Sequence, residues 1–502
     1  MQLIFAQRKT FVKIILTFKF CDTIIKLKDR FLSTIKLIRG TIMTKKFEID
    51  MTSGPLLKNI FLYALPIVGI NILQLLFNAA DVTILGIFAS DNAVAAVGAT
   101  TSLVNMFVGF FVGLSLGANV LVARSMGAQD SEKGKRLIGT SIFMSLVFGT
   151  ILIVIGVFCS EYFLTWLGCP KSLLKMATTY MRIYFLGMPI VMLYNFCASI
   201  LRSVGDTVRP FIFLVIGGVL NVVLNVFFIV VLKKDVEGVA IATVASQGVS
   251  GVLSLITIIK GSGFAKLEKK HFRIYKKELK ELLHMGVPTG IQRSLFSISN
   301  LVITSTIYTY GEVVMAGNTI GHQFDSIVHD ATDAFAMSTL SFVSQNLGAK
   351  KFKRIWLVIF ESLCLVVGVA LFLGALVAIF GRELCSIMTD TPEVIEAGYK
   401  RLLIMGLFYF LTGTMNVFAN TLRGIGKPLA AMLGSFFCTV VFRVFWIYVV
   451  YPISPSMDMV YWVYPISWGL CNIVFAFMAI PKLKKMQKEY ESSFAQKETY
   501  NS

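Results

Sequence analysis

The sequence is poor in charged residues, which make up 15% of its 502 positions, whereas soluble domains carry about 25%. Hydrophobic residues make up 56% of the chain. Residues 92–123, 137–158 and 210–232 contain no charged side chain, and one helical span of a bilayer needs about 20 such residues. These runs are apolar on every face, so they do not fit a soluble protein with amphipathic helices. The composition therefore indicates an integral membrane protein.

Motifs that mark ATP-driven pumps and metal sites are also missing. The chain contains no GxxxxGKS or GxxxxGKT phosphate-binding loop, which argues against an ATP-driven pump, and no HExxH motif. None of its eight cysteines lies in a CxxC pair, so a zinc site has no support. Cys159 and Cys169 flank a predicted outer turn, where they could form a disulfide. We expect no catalytic residue, no metal site and no resident cofactor, and a protein that is not an enzyme.

The second half of the chain repeats the first. The segment LRSVG at 201–205 returns as LRGIG at 422–426, an offset of 221 residues. MGA at 126–128 returns as LGA at 347–349 with the same offset, and a basic cluster follows each copy. Transporters built from repeats work between two similar halves around a shared cavity. A repeat in so apolar a chain therefore predicts a membrane transporter.

Twelve helical spans are predicted, six in each half. Because six is even, both halves enter the membrane in the same orientation. The predicted fold is an all-α integral membrane protein, with twelve transmembrane helices in two six-helix bundles related by a pseudo-twofold along the membrane normal. The predicted spans are 56–88, 94–123, 136–158, 177–203, 209–231, 238–260, 283–309, 315–346, 355–380, 396–422, 428–451 and 459–481.

Lys and Arg are concentrated in alternate connections between the predicted spans. Because positive residues resist translocation, we place these connections and both termini in the cytoplasm. The net charge of +19 is then divided among loops on one membrane side, which indicates no nucleic-acid partner. The predicted organisation is an N-terminal extension at 1–53, an N-lobe at 54–260, a cytoplasmic linker at 261–282, a C-lobe at 283–481 and a cytoplasmic tail at 482–502.

The start of the chain does not follow this pattern. Residues 1–42 hold nine Lys or Arg and no apolar run long enough to span a membrane. They fit an amphipathic helix at an anionic lipid surface. Alternatively, translation begins at Met43 or Met51 and the prefix is a mis-assigned start, which is the interpretation we favour.

An ion-coupled transporter needs a group that binds H⁺ or Na⁺ inside the membrane, where ionisable residues are costly. Asp81 follows 22 uncharged residues in the first predicted span, where low dielectric favours its protonation and neighbouring oxygens would favour Na⁺. Asn221 and Asn225 share one face of the fifth span, and Thr243 lies at similar depth in the sixth. These four residues are the predicted cation-coupling site. The structural alternative is a carboxylate that faces water at a helix end, with asparagines that join helices.

Several segments together resemble the multidrug and toxic compound extrusion family of cation-coupled exporters. They are NAAD at 78–81, the run from GMP at 187–189 to LRSVGD at 201–206, NVVLN at 221–225, GVAIATVASQ at 238–247 and GVPTGIQRSLFSISN at 286–300. The resemblance covers about 54–481 and implies two six-helix bundles around a V-shaped cleft that opens alternately to the two membrane sides. It also implies that Asp81 is the cation or proton switch of the N-lobe, with Asn221, Thr243 and Asn195 as polar partners.

The chain departs from this family in both halves. Many relatives carry an aspartate where this chain has Asn225, so the predicted site has one carboxylate, which weakens the case for Na⁺ and leaves H⁺ at least equally plausible. Some relatives carry a glutamate in the seventh span, where the polar residues here are Gln292 and Arg293. Arg443, inside the eleventh span, needs a partner, and we expect Glu361 or a carboxylate of the eighth span.

The eighth predicted span is unusually rich in ionisable residues. His322, Asp325, His329 and Asp333 are spaced by 3, 4 and 4 residues, which puts them on one helical stripe. One interpretation is a pH-responsive wall of the substrate cleft, to which Gln292 would also belong, that attracts cations or relays protons. The other is a set of Asp–His pairs that satisfy one another where the helix meets water.

The resemblance implies a plasma-membrane antiporter that exports organic cations or related amphiphiles against inward flow of H⁺ or Na⁺, its coupling ion. Its expected partners are these small molecules and membrane lipid, and we expect a monomer. One alternative is a flippase for lipid-linked oligosaccharides of related architecture, although such proteins typically have additional spans. The other is a structural or sensory membrane protein that transports nothing.

Overall fold

The computed structural model describes residues 47–261 and 263–501, and in these ranges the chain forms helices and turns without a strand. The prediction for residues 1–42 lies outside the described residues. The helices are α1 (Leu56–Phe88), α2 (Asp91–Gly127), α3 (Ser131–Trp166), α4 (Lys171–Leu186), α5 (Met188–Ser203), α6 (Val208–Val226), α7 (Val236–Lys260), α8 (Lys276–Tyr308), α9 (Glu312–Gly348), α10 (Phe352–Ile379), α11 (Gly381–Ser386), α12 (Pro392–Gly424), α13 (Pro428–Ser435), α14 (Phe442–Phe445) and α15 (Met457–Asn501).

Most of the long helices are suited to a membrane. Within the described ranges, nine helices are long and apolar enough to cross a bilayer, and the pair α4 and α5, bent by 51°, makes a tenth if it is one span. Helices α8 and α9 coincide with the predicted seventh and eighth spans but are not among these ten, because they carry more polar and charged side chains. The finding establishes a multi-pass membrane protein and confirms the twelve predicted spans only in part.

The bend between α4 and α5 has a local cause. Gly187 ends α4, and Pro189 lies in the first turn of α5, where it has no N–H to donate to the preceding turn. Elsewhere, short π-helical segments continue the helices: Phe227–Val231 follows α6, and Phe436–Val441 joins α13 to α14. The predicted fifth and eleventh spans are therefore continuous in the structure.

The repeated LRSVG and LRGIG segments each end a helix. Gly205 and Gly426 have φ values of 94° and 86°, a left-handed conformation that glycine adopts without a steric penalty. After the first helix, the Asp206 N–H donates to the Leu201 carbonyl oxygen at 3.0 Å, as expected for a glycine-type C-cap. The most visible repeat in the sequence thus has a structural cause, because both lobes must end the same helix in the same way.

The helices pack around two hydrophobic cores, one made mainly by residues 84–285 and one mainly by residues 303–483. Helix α1 belongs to both, since Ile60 packs in the second core and Leu85 in the first. Helix α8 is divided in the opposite sense, with Leu282 in the first core and Ile303 in the second. The first turns of each half therefore pack on the other half, which the lobe boundaries predicted from sequence did not include.

The linker between the halves is held to the start of α3 by ion pairs. Lys135 lies 2.5 Å from Glu268 of the linker, and Arg136 lies 3.1 Å from Glu278 at the start of α8. The hydrogen bond from Lys135, with a second from Lys270, holds the pKa of Glu268 well below its usual range, at about 2. Part of the basic cluster after the first MGA segment thus fastens the linker to α3.

Helices α2 and α9 cross at closely packed glycines near their C-terminal ends. A Cβ atom on Gly348 would overlap the carbonyl oxygen of Arg124, and one on Gly127 would overlap the carbonyl oxygen of Gln345. The two contacts are related by the repeat, since MGA and LGA occupy equivalent positions. Only a glycine at each position allows this approach of the two backbones.

Gly348→Ala is expected to lower stability by about 1–3 kcal/mol, because the added methyl group must displace the backbone of α2. The measurement is the midpoint of thermal unfolding of the detergent-solubilised protein. Gly368→Ala, at a position in α10 where a Cβ would meet nothing within 4 Å, is the matched control and should not be destabilised. Equal midpoints for the two variants would contradict the prediction.

Candidate functional site

Asp81 lies near the C-terminal end of α1 and is buried, with 8% of its surface exposed. Both of its carboxylate oxygens accept hydrogen bonds from other helices. The Asn225 amide of α6 donates to Oδ1 at 2.5 Å, and the Thr243 hydroxyl of α7 donates to Oδ2 at 3.3 Å. Asp81 is thus a buried carboxylate held by neutral donors, and no Lys or Arg of the described residues pairs with it.

Asn221 completes the network. Its side-chain amide donates to the Thr243 hydroxyl at 3.3 Å, and its Oδ1 accepts from the Asn225 amide at 3.2 Å. The spacing of four residues puts both asparagines on the face of α6 that meets α1 and α7. The structure therefore brings Asp81, Asn221, Asn225 and Thr243 together, while their role in ion coupling stays a prediction.

A cavity of about 170 Å³ reaches this network. Asp81, Asn221 and Thr243 line it, so the carboxylate is accessible to a small cation from the cavity. Four side-chain amides that were not predicted from the sequence also line the cavity. Two of them could have been predicted from the sequence, because they lie three and seven residues before Asp81 and therefore on the same face of α1. The four residues are Gln74, Asn78, Asn105 and Gln247.

Asn195 is not part of the network. It lies on α5, where its amide donates to the Val191 carbonyl oxygen at 2.9 Å, one turn earlier in the same helix. It is also absent from the residues that line the cavity around Asp81. The structure therefore gives Asn195 a bond within its own helix, and among the described residues no hydrogen bond joins it to the predicted site.

The ionisable stripe of α9 is divided among different partners. Asp325 is buried and lies 2.7 Å from Nε of Arg401 on α12, while the exposed His322 is 3.5 Å from its other oxygen. The amide of Asn318 also contributes, since its oxygen accepts from Nη1 of Arg401 at 2.9 Å. Asp325 thus belongs to a buried ion pair inside the C-terminal half.

The remaining stripe residues have other partners. Nδ1 of His329 lies 3.2 Å from Oδ1 of Asp330, a residue outside the predicted stripe, and both side chains are about half exposed. Asp333 accepts a hydrogen bond from the Asn416 amide of α12 at 3.1 Å. The structure therefore does not join the four stripe residues into one chain of hydrogen bonds.

Gln292 of α8 is buried and joins two other helices. Its amide donates to the Ser435 hydroxyl at 2.5 Å, and its oxygen accepts from Nη2 of Arg423 at 2.7 Å. It connects α8 to α12 and α13.

The prediction of a carboxylate partner for Arg443 is wrong. Arg443 is 2% exposed, and its guanidinium donates to the Ser467 hydroxyl and to the Asn300 side-chain oxygen, each at 3.0 Å. It also lies 4.7 Å from the centroid of the Tyr464 ring. Neutral oxygens of α8 and α15 and an aromatic face of α15 hold this charge in the described structure.

The prediction that Cys159 and Cys169 could form a disulfide is also wrong, because both thiols are free. Helix α3 continues to Trp166, so the two cysteines are separated by about two further turns of helix. At a rise of about 1.5 Å per residue, this separation exceeds the reach of a disulfide.

Two stretches of the chain, 66–227 and 288–449, each match the family model described as MatE. The two matches cover more than half of the sequence and fall on the two halves that the internal repeat defines. The chain belongs to the multidrug and toxic compound extrusion (MATE) family. This is a family of transporters and not of enzymes.

Curated members of the MATE family match over most of the chain. "Probable multidrug resistance protein YoeA" of Bacillus subtilis is 26% identical over 387 residues, which are 76% of this chain and 84% of the relative. "Probable multidrug resistance protein NorM" of Thermotoga maritima is 26% identical over 383 residues, 76% of this chain and 82% of the relative. Both relatives are thus matched over more than four fifths of their length.

Solved MATE structures share the fold. The "Outward-facing conformation of a multidrug resistance MATE family transporter of the MOP superfamily" matches with a TM-score of 0.82 and 21% identity. It covers 89% of this chain and all of the solved chain. "Crystal structure of MATE in the straight conformation" gives the same TM-score, identity and coverage. At this identity the likeness establishes the fold.

Proposed function

We propose that this MATE-family protein is a secondary antiporter of the plasma membrane. It exports small organic compounds, cations or related amphiphiles, and the inward flow of H⁺ or Na⁺ supplies the energy. Twelve spans in two six-helix bundles, with both termini in the cytoplasm, would provide the two membrane-facing states. The relatives named as multidrug resistance proteins support the substrate class.

The observation that carries this proposal is the buried Asp81, which reaches a cavity and accepts hydrogen bonds from Asn225 and Thr243. A cation that enters the cavity neutralises the carboxylate. The hydrogen bonds from Asn225 and Thr243 then lose their charge assistance, which makes each of them weaker by roughly half. The packing of α1 against α6 and α7 therefore depends on whether the cation is bound.

This dependence is what coupling requires. An ion can shift an equilibrium between two lobe arrangements only by its difference in affinity for them. Ion binding at Asp81 favours the lobe arrangement in which the hydrogen bonds to its carboxylate are weaker. Substrate binding favours the other arrangement. Because the two ligands favour different arrangements, ion entry and substrate exit alternate.

The decisive experiment is ethidium efflux from proteoliposomes that contain the full chain. Efflux is measured under an imposed H⁺ gradient, under an imposed Na⁺ gradient and under neither. Efflux driven by one gradient and absent without it supports the antiporter and identifies the ion. If neither gradient moves ethidium or any other small organic compound tested, the antiporter proposal is wrong and a non-transporting role is favoured.

Asn225→Asp is expected to favour Na⁺ over H⁺ as the driving ion. The variant puts a second carboxylate beside Asp81, and ligand charge tunes cation affinity over decades, so Na⁺ affinity should rise by about tenfold or more. The measurement is the ratio of Na⁺-driven to H⁺-driven efflux. Asn195→Asp is the matched control, because its amide lies outside the network and its ratio should stay at that of the wild type.

A further inference from the structure

The segment before α1 crosses from one half of the molecule to the other. Residues 47–54 form neither helix nor strand, and we refer to them as the strap. The side-chain amide of Asn346, two residues before Gly348, donates to the carbonyl oxygen of Met51 in the strap at 3.0 Å. The strap therefore lies at the end of the molecule where α2 and α9 cross, which is the side that the distribution of Lys and Arg predicts to be cytoplasmic.

The strap is attached mainly to the second half of the chain. The carbonyl oxygens of residues 51–54 accept five hydrogen bonds from side chains of that half, at distances from 2.6 to 3.1 Å. The donors are Asn346 of α9, Lys351 of the turn after α9, and Arg354 of α10, which alone makes three of the five. Positively charged donors form stronger hydrogen bonds than neutral ones. Met51 is also fully buried in the second hydrophobic core, so the strap is firmly held there.

The strap also contacts the first half, at the glycine cap of the repeated LRSVG segment. The backbone N–H of Ile49 donates to the Gly205 carbonyl oxygen at 3.3 Å. The guanidinium carbon of Arg209 lies 5.7 Å from the centroid of the Phe47 ring. A Cβ atom on Gly205 would lie 2.3 Å from the Ile49 carbonyl oxygen and 2.7 Å from the Ile49 nitrogen, so the two backbones touch. Glycine at this position therefore permits the strap to lie on the cap as well as the left-handed φ value.

The internal repeat does not account for this contact. At the offset of 221 residues, the strap corresponds to residues 268–275 of the linker, and Gly205 corresponds to Gly426. The two glycines have similar φ values, yet the atoms nearest to a Cβ on Gly426 belong to the guanidinium of Arg124. In the described structure, the backbone contact of the strap on Gly205 thus has no equivalent among the nearest neighbours of Gly426. A requirement of the duplicated fold is therefore not its cause.

If the halves separate at this end, the strap must leave one of them. The second half holds it by five hydrogen bonds and the buried Met51, whereas the first half holds it by one backbone hydrogen bond and an aromatic contact. The strap should therefore remain on the second half and leave Gly205. The Tyr63 hydroxyl of α1 crosses the same boundary, since it donates to the Arg202 carbonyl oxygen at 2.9 Å. Because Tyr63 packs in the second core, this bond should break together with the strap contact.

We propose that the strap holds the predicted cytoplasmic side of the protein closed by binding the cap at Gly205. The inference rests on the proposed alternation between two lobe arrangements, and it names a contact that sets the balance between them. A contact that is made in only one arrangement stabilises that arrangement by its own free energy. Opening of this side therefore requires the strap to leave the cap, and a weakened strap should raise the population of the open arrangement.

The test measures the distance between the two halves at this end, by double electron–electron resonance on the full chain in lipid nanodiscs. Ser131 and Lys353, exposed residues in the first turns of α3 and α10, are each replaced by p-acetylphenylalanine, which carries the spin label and leaves the native cysteines unchanged. Gly205→Ala puts a methyl group against the Ile49 backbone, and Arg354→Gln removes three bonds to the strap. Each should raise the ratio of long to short distances by about tenfold.

Two control variants make the same chemical changes away from the strap contacts. Gly311→Ala adds a methyl group at a φ of 92°, close to the 94° of Gly205, but no atom beyond the adjoining residues lies within 4 Å of the added carbon. Lys58→Gln removes an exposed positive charge in the first turn of α1, where no hydrogen bond from Lys58 to the strap is found in the described structure. Both should keep the wild-type ratio. Arg354→Lys keeps the charge without the planar guanidinium, so its ratio should lie between those of the wild type and Arg354→Gln.

The proposal is overturned if Gly205→Ala and Arg354→Gln keep the wild-type ratio, or if the two controls shift the ratio equally. If thermal unfolding shows that Gly205→Ala is misfolded, the two Arg354 variants decide. The populations are measured at equilibrium without a gradient, so the result is independent of ion coupling. Gradient-driven ethidium efflux together with unshifted distances would remove the role of the strap and leave the antiporter. Shifted distances without efflux under any gradient would support the strap and remove the antiporter.

Discussion

Asp81→Asn is expected to abolish gradient-driven efflux, down to the leak measured with empty liposomes. The asparagine keeps the size of the side chain and can still meet Asn225 and Thr243, so the fold is retained. It cannot take up a proton, and it offers Na⁺ no charge, so ion binding no longer shifts the equilibrium between lobe arrangements. The measurement is ethidium efflux from proteoliposomes under H⁺ and Na⁺ gradients.

The control for this variant is Asp390→Asn, which makes the same chemical change at an exposed residue of the turn before α12. It should transport at the wild-type rate. Asp81→Asn should still bind a transported compound in detergent, because the substitution removes coupling and not the substrate site. Efflux that survives in Asp81→Asn would show that coupling resides elsewhere, and His329 with Asp330 of α9 would be the next pair to test.

Asp325→Asn is expected to cause the largest loss of stability among single substitutions in the C-terminal half. Asp325 and Arg401 are both nearly inaccessible and lie 2.7 Å apart, so the variant leaves a buried guanidinium without its counter-charge. Breaking a buried pair from one side costs about 3–5 kcal/mol. The measurement is the thermal unfolding midpoint in detergent.

The neighbouring pair of Lys400 and Asp458 supplies the matched control. Lys400 lies one residue before Arg401 on α12, the nitrogen–oxygen distance of its pair with Asp458 is also 2.7 Å, and both side chains are about half exposed. Because water screens this pair, Asp458→Asn should cost about 0–1 kcal/mol. Replacing both members of the buried pair, in Arg401→Met with Asp325→Leu, should recover most of the loss, since apolar groups substitute for buried ion pairs with little cost. Equal midpoints for Asp325→Asn and Asp458→Asn would contradict the prediction.

The candidate site was visible in the sequence because its signals are local. A carboxylate after 22 uncharged residues is improbable inside a membrane without a role, and two asparagines four residues apart must share a helix face. Which helices meet at that face is a long-range property. The bond between Asn225 and Asp81 joins residues 144 positions apart, and no spacing along the chain predicts it.

The stripe on α9 illustrates the opposite case. Spacing of 3 and 4 residues correctly put its residues on one side of a helix, yet it gave no information about the neighbours. Packing of α12 against α9 supplies Arg401 to Asp325 and Asn416 to Asp333, so two carboxylates of one stripe have different environments. A buried charge takes whichever partner the adjacent helix presents.

The sequence by itself determined that this is a repeated, helical membrane protein of the MATE family, and that Asp81 is its leading candidate for ion coupling. Those features depend on composition, periodicity and motifs, which are properties of contiguous segments. Only the tertiary structure decided that α1 and α8 each divide between two cores, and that Arg443 is held by neutral groups. These outcomes depend on how helices rotate and cross, because side chains distant in sequence come into contact only after the helices have packed.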